Sequence, residues 1–389
     1  MPAPLERLSA RTNGCTVTPR QYLWFAYAAL VALTLIVLTG AAVRLTGSGL
    51  GCPTWPKCYG NVYPPLHTHA LIEFSNRVLT APVCLAAGLA WLAALRRRPY
   101  RRELTWLAAM LPLGVIGQAV LGGLTVKGRL DYGWVMGHFA LSMLILVAAV
   151  TLAWRARGAR EEAEAGGALA RPGGEAGESA GAAVAAPAGA VVSAPVAAAT
   201  GGERRAGALG TDRTIVRGVR ALVALGALTI FAGTAATAAG PHAGGEPGQK
   251  INRLDFDGRG TMDFVIHRHA EIAFVFSLAA VALWWLSRRR PATAMVRRSL
   301  TVLCALLAVQ GAVGLDQYET HLPTELVWVH VALASTAWIS TLWACCAAGR
   351  LAPRSAMEGV AEGAAARSAT ARGRPRAEAG EAPAVGGPV

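Results

Sequence analysis

Eight ionisable side chains lie inside or at the edge of long apolar runs, where a charged group is hardest to accommodate. A charged residue at the centre of a membrane helix is unfavourable by roughly 2.5–3.5 kcal/mol on insertion scales, so such residues usually serve a function. They are Glu73, Arg77, His138, His267, Arg268, His269, Glu271 and His330. Because carboxylates transfer protons and imidazoles bind metals, this set predicts acid–base or metal chemistry within a membrane.

Three polar residues share one predicted helix face. Glu73, Asn76 and Arg77 are spaced at i, i+3 and i+4, so a helix places them side by side. The face could present an acid–base group to a bound substrate. Glu73 and Arg77 could instead form a structural ion pair, and both interpretations stay open at this point.

Two of the seven cysteines lie close together in a segment outside the apolar helices. Cys52 and Cys58 lie in a Pro-containing segment that leads directly into the Glu73 helix. If this segment faces an oxidising compartment, a disulfide between the two is expected. The bond could be a structural clip that covers the neighbouring pocket, or a redox-active pair coupled to it.

Eight apolar segments are long enough to position these side chains across a membrane, since a spanning helix needs about 20 apolar residues. The predicted spans are 22–43, 69–95, 104–126, 133–154, 218–240, 263–286, 299–318 and 323–348. The chain is 53% hydrophobic and only 15% charged, whereas soluble domains carry roughly 25% charge. These features predict an all-α integral membrane protein.

Arginine clusters predict the orientation of the spans. Segments 96–103 and 287–298 each contain five Arg, while 319–322 contains no Lys or Arg. Positively charged loops remain cytoplasmic, so both termini are expected in the cytoplasm. The ionisable residues then lie near the outer ends of their helices, and their pockets open toward the outside. The net charge of +14 follows from this pattern, and no nucleic-acid partner is expected.

The remaining segments are predicted to lie in the cytoplasm. Residues 1–21 form an N-terminal segment, 155–217 a flexible linker and 349–389 a disordered tail. The linker and the tail are rich in Ala and Gly and cannot bury enough apolar surface to fold. We assign function to neither.

The two apolar halves, 22–154 and 218–348, repeat one another. Gln118 precedes His138 by 20 residues, as Gln310 precedes His330, and further matches keep an offset of 192 or 193 residues. The sequence therefore predicts two tandem four-helix bundles that are related by internal duplication and share one orientation.

The repeat pairs the candidate residues of the two halves. His138 corresponds to His330, and Asn76 corresponds to His269. The second half thus has two imidazoles at similar depth, which predicts a bis-His heme site. His267 is an alternative to His269, although residues at i and i+2 face different ways.

The halves also differ, because only the first contains Glu73. A site with one imidazole and an acid suits a substrate, whereas a site with two imidazoles suits a redox-only heme.

These residues together resemble the heme A synthase family. Its members have eight helices in two related four-helix halves, with a cysteine pair in the first outer loop. The matching motifs are Gly-Ser-Gly-Leu-Gly-Cys-Pro-Thr-Trp-Pro-Lys-Cys at 47–58, Ile-Glu-Phe-Ser-Asn-Arg at 72–77, Gly-His at 137–138 and Trp-Val-His at 328–330. The resemblance covers roughly the two repeated halves.

The resemblance implies an enzyme that oxidises a ring methyl of heme O to a formyl group, giving heme A for terminal oxidases. It implies that the first half takes the substrate and that the second holds heme b. The implied residues are Glu73 as the catalytic glutamate, Cys52 and Cys58 as a disulfide, His138, Asn76 and Arg77 in the substrate pocket, and His330 with His269 (or His267) at the heme iron. Asn76 departs from the family pattern, in which the best-known members have His.

Two other functions remain open from the sequence. A non-enzymatic heme carrier or oxidase assembly factor would bind heme without forming a formyl product. A b-type electron-transfer protein would need two axial histidines in each half, which Asn76 argues against. The resemblance suggests a heme O synthase and oxidase assembly proteins as partners, in the lipid of the cell (plasma) membrane.

Overall fold

The computed structural model describes residues 16–169, 210–246, 248–256 and 260–349, which contain eight long helices. The helices are α1 Pro19–Leu45, α2 Thr68–Arg96, α3 Arg102–Lys127, α4 Tyr132–Leu169, α5 Arg213–Ala239, α6 Thr261–Arg289, α7 Ala294–Glu319 and α8 Thr324–Ala348. All eight are long and apolar enough to cross a membrane, with a mean hydropathy of 1.5 to 2.2 over their most apolar stretch. The predicted multi-pass, eight-helix architecture is confirmed.

Local sequence signals explain where several helices begin. Thr18 caps α1 and forms a reciprocal capping box with Gln21, while Pro19 occupies the first turn, where its missing N–H is not needed. The Asp212 carboxylate accepts the Thr214 N–H at the start of α5, and Thr293 caps α7 in the same way. Polar caps therefore set the starts of helices whose interiors are apolar.

The helices form two closed four-helix rings. In the first ring, α1 packs on α2, α2 on α3, α3 on α4 and α4 on α1, and helices α5 to α8 repeat this order. The main contacts between the rings are α4 with α8, α1 with α8 and α4 with α5. If each helix is replaced by its counterpart in the other half, the α4–α5 contact becomes the α8–α1 contact, and both contacts are present. The packing therefore fits the predicted internal duplication, which stays a prediction.

Tryptophans contribute to the interface between the rings. The Trp338 indole N–H donates to the Met143 carbonyl, 3.2 Å away, and the Trp328 N–H donates to the Leu38 carbonyl at 3.0 Å. The rings of Trp154 and Trp343 pack edge to face, with their centres 5.1 Å apart. These contacts place α8 against both α1 and α4.

Helix α4 differs from its predicted extent, because it continues to Leu169 instead of ending near residue 154. The first residues of the predicted 155–217 linker are therefore helical, as are the last, since α5 begins at Arg213. The extension carries ion pairs at i, i+4 spacing, Arg157–Glu161 and Arg160–Glu164, which stabilise exposed helices.

Most of the other segments that are predicted to lie in the cytoplasm are outside the described residues. This applies to the rest of the linker and to most of the N-terminal segment and the tail.

Candidate functional site

Two imidazoles face each other in the second half. The rings of His269 on α6 and His330 on α8 have their centres 6.2 Å apart, with an angle of 75° between the ring planes. Bonds from imidazole nitrogens to metal ions are about 2 Å long, so two imidazoles that bind one ion from opposite sides have ring centres about 6 Å apart. The observed separation therefore fits two imidazoles that would hold one metal ion between them.

Hydrogen bonding fixes the tautomer of His269. Its Nδ1 lies 3.1 Å from the Thr229 carbonyl on α5, and a carbonyl oxygen can only accept. Nδ1 must therefore carry the hydrogen, which leaves the lone pair on Nε2 for a metal. The Nδ1 of His330 is buried and has no hydrogen-bond partner among the described residues.

Glycines make space for these rings. A Cβ added at Gly233 on α5 would lie 3.0 Å from Cε1 of His269, and one at Gly314 on α7 would lie 3.1 Å from Cε1 of His330. Real Cβ atoms rarely come so close to a neighbour. Each imidazole therefore occupies room that the neighbouring helix leaves by lacking a side chain.

The structure separates His267 from this pair. His267 is exposed, its Nδ1 lies 2.7 Å from the Asp263 carbonyl, and its ring packs edge-on against Tyr318. Of the two candidates on α6, it is therefore His269 that lies next to His330.

The first half repeats this arrangement with different side chains. Gly122 on α3 faces the ring of His138, with a virtual Cβ 3.4 Å from Cε1, and Gly40 on α1 faces the amide of Asn76 at 3.9 Å. The Asn76 Oδ1 accepts a hydrogen bond from Thr39, 2.7 Å away. The polar residue at this position is thus an amide that is already bonded to α1.

The backbone around His138 is held by a side chain of the neighbouring helix. The Gln118 amide on α3 donates to the His138 carbonyl at 3.0 Å and to the Ser142 hydroxyl at 2.7 Å. The Nδ1 of His138 is buried without a hydrogen-bond partner in the described part of the chain, like that of His330. The two repeat-related histidines thus occupy similar environments.

Glu73 is the buried carboxylate that the sequence singled out, and it is 6% exposed. Its Oε2 accepts the backbone N–H of Cys52, 2.6 Å away, and its Oε1 is paired with the guanidinium of Arg77. The predicted i, i+4 ion pair is therefore present, and both carboxylate oxygens have partners.

Arg77 connects α2 to the loop before it. Its guanidinium donates to the carbonyls of Cys52 at 2.8 Å and Thr54 at 2.9 Å, and it lies over the Trp55 ring, 5.0 Å from the centroid. Arginine can hold several acceptors at once because its donors form a planar fork. Glu73 and Arg77 together fix the loop on the helix.

The loop itself is closed by a disulfide between Cys52 and Cys58, as predicted, and both residues are fully buried. A Cβ at Gly51 would lie 2.2 Å from the His69 carbonyl, so only glycine allows the loop backbone to lie this close to α2. Trp55 packs on Gly123 of α3. The loop therefore covers the ends of α2 and α3, as a structural clip would.

One polar contact near this loop escaped the sequence analysis. The hydroxyl of Ser48, which is fully buried, lies 3.0 Å from Nδ1 of His69 at the start of α2. His69 lies one helical turn before Glu73, and its residue type and its position beside an apolar run could have indicated it. Ser48 carried no such signal, because a serine in a Gly-rich turn has many structural uses.

Comparison with known proteins identifies similar chains. Residues 23–342 match the model of a family described as cytochrome oxidase assembly protein.

Individual relatives match over shorter stretches. The heme A synthase of Lysinibacillus sphaericus (strain C3-41) is 36% identical over 132 residues, which cover 33% of this chain and 43% of the relative. That of Bacillus pumilus (strain SAFR-032) is 32% identical over 123 residues, or 31% and 40% of the two chains. That of Shewanella oneidensis (strain MR-1) is 29% identical over 149 residues, or 33% and 44%. These alignments span less than half of each relative.

Proposed function

Because this chain belongs to the family of cytochrome oxidase assembly proteins, we propose that it is a heme A synthase. Its reaction would be the oxidation of a ring methyl of heme O to a formyl group, which gives heme A for terminal oxidases. Membership confirms the resemblance to the heme A synthase family that the sequence motifs indicated.

The observation that carries the proposal is the difference between two otherwise similar pockets. In the second half, two imidazoles lie with their centres 6.2 Å apart. At the position equivalent to His269, the first half has Asn76, which is bonded to Thr39. Among the described residues of the two halves, the one buried carboxylate is Glu73 of the first half. One pocket is thus suited to holding iron on both faces, and the other to holding a porphyrin less tightly beside an acid.

In the second half, His269 and His330 would hold heme b. The Thr229 carbonyl keeps Nε2 of His269 free to bind, and Gly233 and Gly314 leave space for the rings. A heme held in this way supplies one-electron transfer.

In the first half, His138 would orient the substrate heme, with Asn76 and Arg77 lining the same pocket. We propose that Glu73 exchanges a proton or stabilises developing charge next to the methyl group that is oxidised. Its bonds to the Cys52 N–H and to Arg77 hold the carboxylate in one place. The same bonds fix the disulfide loop, so Glu73 would combine a catalytic with a structural role.

We also propose that the protein spans the plasma membrane with both termini in the cytoplasm and the pockets toward the outer face. The Arg-rich α2–α3 and α6–α7 connections support this orientation through the positive-inside rule. Heme O would be the substrate, and a heme O synthase and oxidase assembly proteins are the proposed partners.

Substitution of Glu73 by Gln tests the proposed enzyme. The variant, expressed with a source of heme O, is expected to lose heme A formation by about a hundredfold or more, since general acid–base groups contribute about 10²–10⁴-fold. Gln keeps the shape of the side chain and an oxygen that can accept the Cys52 N–H. The measurement is chromatography of extracted hemes.

Glu271→Gln is the matched control for this test, because Glu271 forms an exposed ion pair on α6. Undiminished heme A in Glu73→Gln would refute the catalytic role. Wild-type protein that carries heme and forms no formyl product would support the alternative, a non-enzymatic heme carrier or oxidase assembly factor.

A further inference from the structure

A polar cavity of about 290 Å³ lies where the C-terminal end of α1, in the first half, meets the α5–α6 loop of the second. None of the residues assigned above to the heme pockets lines it. Its charged or ionisable lining residues are Arg44, His242, Glu246 and Arg253. The cavity is therefore a separate feature at the junction of the two halves.

The side chain of Arg44, which lines this cavity, has an unpartnered nitrogen. Its Nε is fully buried without a hydrogen-bond partner, and no described residue forms an ion pair with its guanidinium. Arg44 as a whole is partly buried, and a cation withdrawn from water is stabilised when an opposite charge or several acceptors compensate it. The missing partner is therefore expected to be an anion that enters the cavity.

Backbone contacts between glycines build the wall of the cavity. The Gly49 N–H donates to the Gly244 carbonyl at 2.8 Å, and a Cβ at Gly47 would lie 2.8 Å from the Gly245 carbonyl. A Cβ added at Gly244, which has a φ of +109°, would lie 3.3 Å from Cγ of Arg44. Loops of both halves therefore hold Arg44 in position.

The charges that line the cavity favour an anion. Arg44 and Arg253 contribute two positive charges, and the Glu246 carboxylate contributes one negative charge. The Nε2 of His242 is engaged with the Leu322 carbonyl, 2.8 Å away. The cavity thus has a net positive charge, and guanidinium groups bind oxyanions such as carboxylate and phosphate through two parallel hydrogen bonds.

Arg44 lies farther toward this end of the bundle than the imidazoles of the second half. The hydrogen bond from Trp328 to the Leu38 carbonyl sets the level of α8 against α1. Arg44 follows Leu38 by six residues toward the cavity. His330 follows Trp328 by two residues away from the cavity, so the two offsets add. At 1.5 Å per residue, the two levels differ by about 12 Å. A porphyrin carboxylate is therefore one candidate for the anion that pairs with Arg44.

We propose that this cavity binds an oxyanion, with Arg44 as the principal ligand, Arg253 as a second and Glu246 as an opposing charge. Two sources share this chemistry: a propionate of a bound porphyrin, and the phosphate of a lipid headgroup. The porphyrin source rests on the proposed function, whereas the anion site itself does not.

The first experiment compares binding of iron protoporphyrin with binding of its dimethyl ester, which lacks the carboxylates. The full chain, produced under heme limitation, is titrated with each compound and followed by absorbance. If the anion is a propionate, the wild type binds the free acid at least about tenfold more tightly than the ester, as expected for a charged hydrogen bond. Arg44→Gln loses this preference, and Glu246→Gln increases it.

The second experiment tests the lipid source with phosphatidylglycerol, and native mass spectrometry measures how much lipid remains bound. If the anion is a lipid phosphate, wild type and Arg44→Gln both bind the acid and ester equally. Arg44→Gln then retains phosphatidylglycerol at least about tenfold less well. Lys127→Gln, which removes an exposed charge outside the cavity, should behave like the wild type in both experiments.

Arg253→Gln is a second test of the site in case Arg44→Gln fails to fold. Because Arg253 is exposed on the loop, its substitution should leave the fold intact. It should shift binding in the same direction by a smaller factor. Unchanged binding of both probes in Arg44→Gln and Arg253→Gln would overturn the anion site. Since neither experiment measures heme A, this outcome is distinct from failure of the proposed enzyme activity.

Discussion

His269 is positioned by two features of α5, a carbonyl and a missing side chain. The Thr229 carbonyl sets which nitrogen is free to bind, and Gly233 leaves the space in which the ring lies. His267, two residues earlier, is exposed, and it contacts the Asp263 carbonyl on its own helix and the ring of Tyr318 instead of α5. The surroundings of a histidine, more than its presence on a helix, therefore decide whether it can serve as a ligand.

Alanine substitution of single histidines tests the proposed ligands. His269→Ala and His330→Ala should each abolish the low-spin absorbance spectrum of the bound heme, because one axial bond is lost. His267→Ala is the matched control and should leave the spectrum unchanged. The measurement is the absorbance of the reduced, purified protein. If His267→Ala alone lost the spectrum, the assignment of His269 would be wrong.

Arg77 and Arg268 provide a matched pair for testing how the loop is held. Both are paired with a Glu on their own helix, but the Arg77–Glu73 side chains are 12% and 8% exposed, whereas the Arg268–Glu271 side chains are 53% and 55% exposed. Removing one partner of a buried pair destabilises by about 3–5 kcal/mol. An exposed pair contributes about 0–1 kcal/mol.

We therefore expect Arg77→Met to lower the free energy of unfolding by several kcal/mol and Arg268→Met to have little effect. In Arg77→Met the Cys52–Cys58 disulfide should also be reduced faster, because the loop loses its bonds to α2. Thiol labelling after mild reduction measures this rate. Equal rates in the two variants would show that Arg77 does not hold the loop.

At the scale of elements, α7 contains two glycines with different surroundings. Gly314 faces the ring of His330, whereas a Cβ at Gly311 would meet nothing within 4 Å. Alanine is favoured over glycine in a helix by about 0.5–1 kcal/mol. Substitution by alanine should therefore favour the helix equally at both positions. Only at Gly314 would the new Cβ also contact the imidazole of His330.

Gly314→Ala should displace the His330 ring by a few tenths of an ångström and change the electron paramagnetic resonance spectrum of the proposed heme. Gly311→Ala should leave that spectrum as in the wild type and slightly raise the thermal stability. Identical spectra for the two variants would mean that Gly314 does not set the position of the ring.

The sequence predicted the elements well, because hydropathy over about 20 residues is a direct consequence of the membrane as a solvent. It missed the extension of α4 to Leu169, since ion pairs support a helix outside the membrane without an apolar signal. The candidate residues on helices and the disulfide were also identifiable from the sequence.

Contacts between distant segments were not identifiable in this way. The bond from the Cys52 N–H to Glu73 involves a backbone group that every residue but proline carries. The unpartnered Arg44 resembled an ordinary charge at the end of an apolar run. Such features depend on how loops of the two halves pack, which spacing within a helix does not encode.

For the molecule as a whole, α1, α4, α5 and α8 join the two rings, and Trp338 of α8 lies in this interface. It is 5% exposed, packs in the main apolar cluster and donates to the Met143 carbonyl. Because small residues such as Ala149 and Ala153 are fully buried on α4, the helices can approach closely.

Trp338→Ala should destabilise the protein by about 3–5 kcal/mol, as expected for removal of a large buried side chain. Trp338→Phe keeps most of the ring, loses one hydrogen bond and should reduce stability by only about 1 kcal/mol. Trp285→Ala is the control, since Trp285 is 54% exposed. Unfolding in detergent, followed by circular dichroism, gives the three values. Equal effects of Trp338→Ala and Trp285→Ala would contradict this view of the interface.

The Asn76 amide beside Gly40 has an evolutionary consequence. Asparagine and histidine codons differ in one base, so a single point mutation could give the first bundle the imidazole that its twin carries. Gly40 already leaves room for it, with the nearest Asn76 atom 3.9 Å from a virtual Cβ. Under the predicted internal duplication, two copies of one scaffold could thus acquire different binding residues through a single base change, with the backbone left intact.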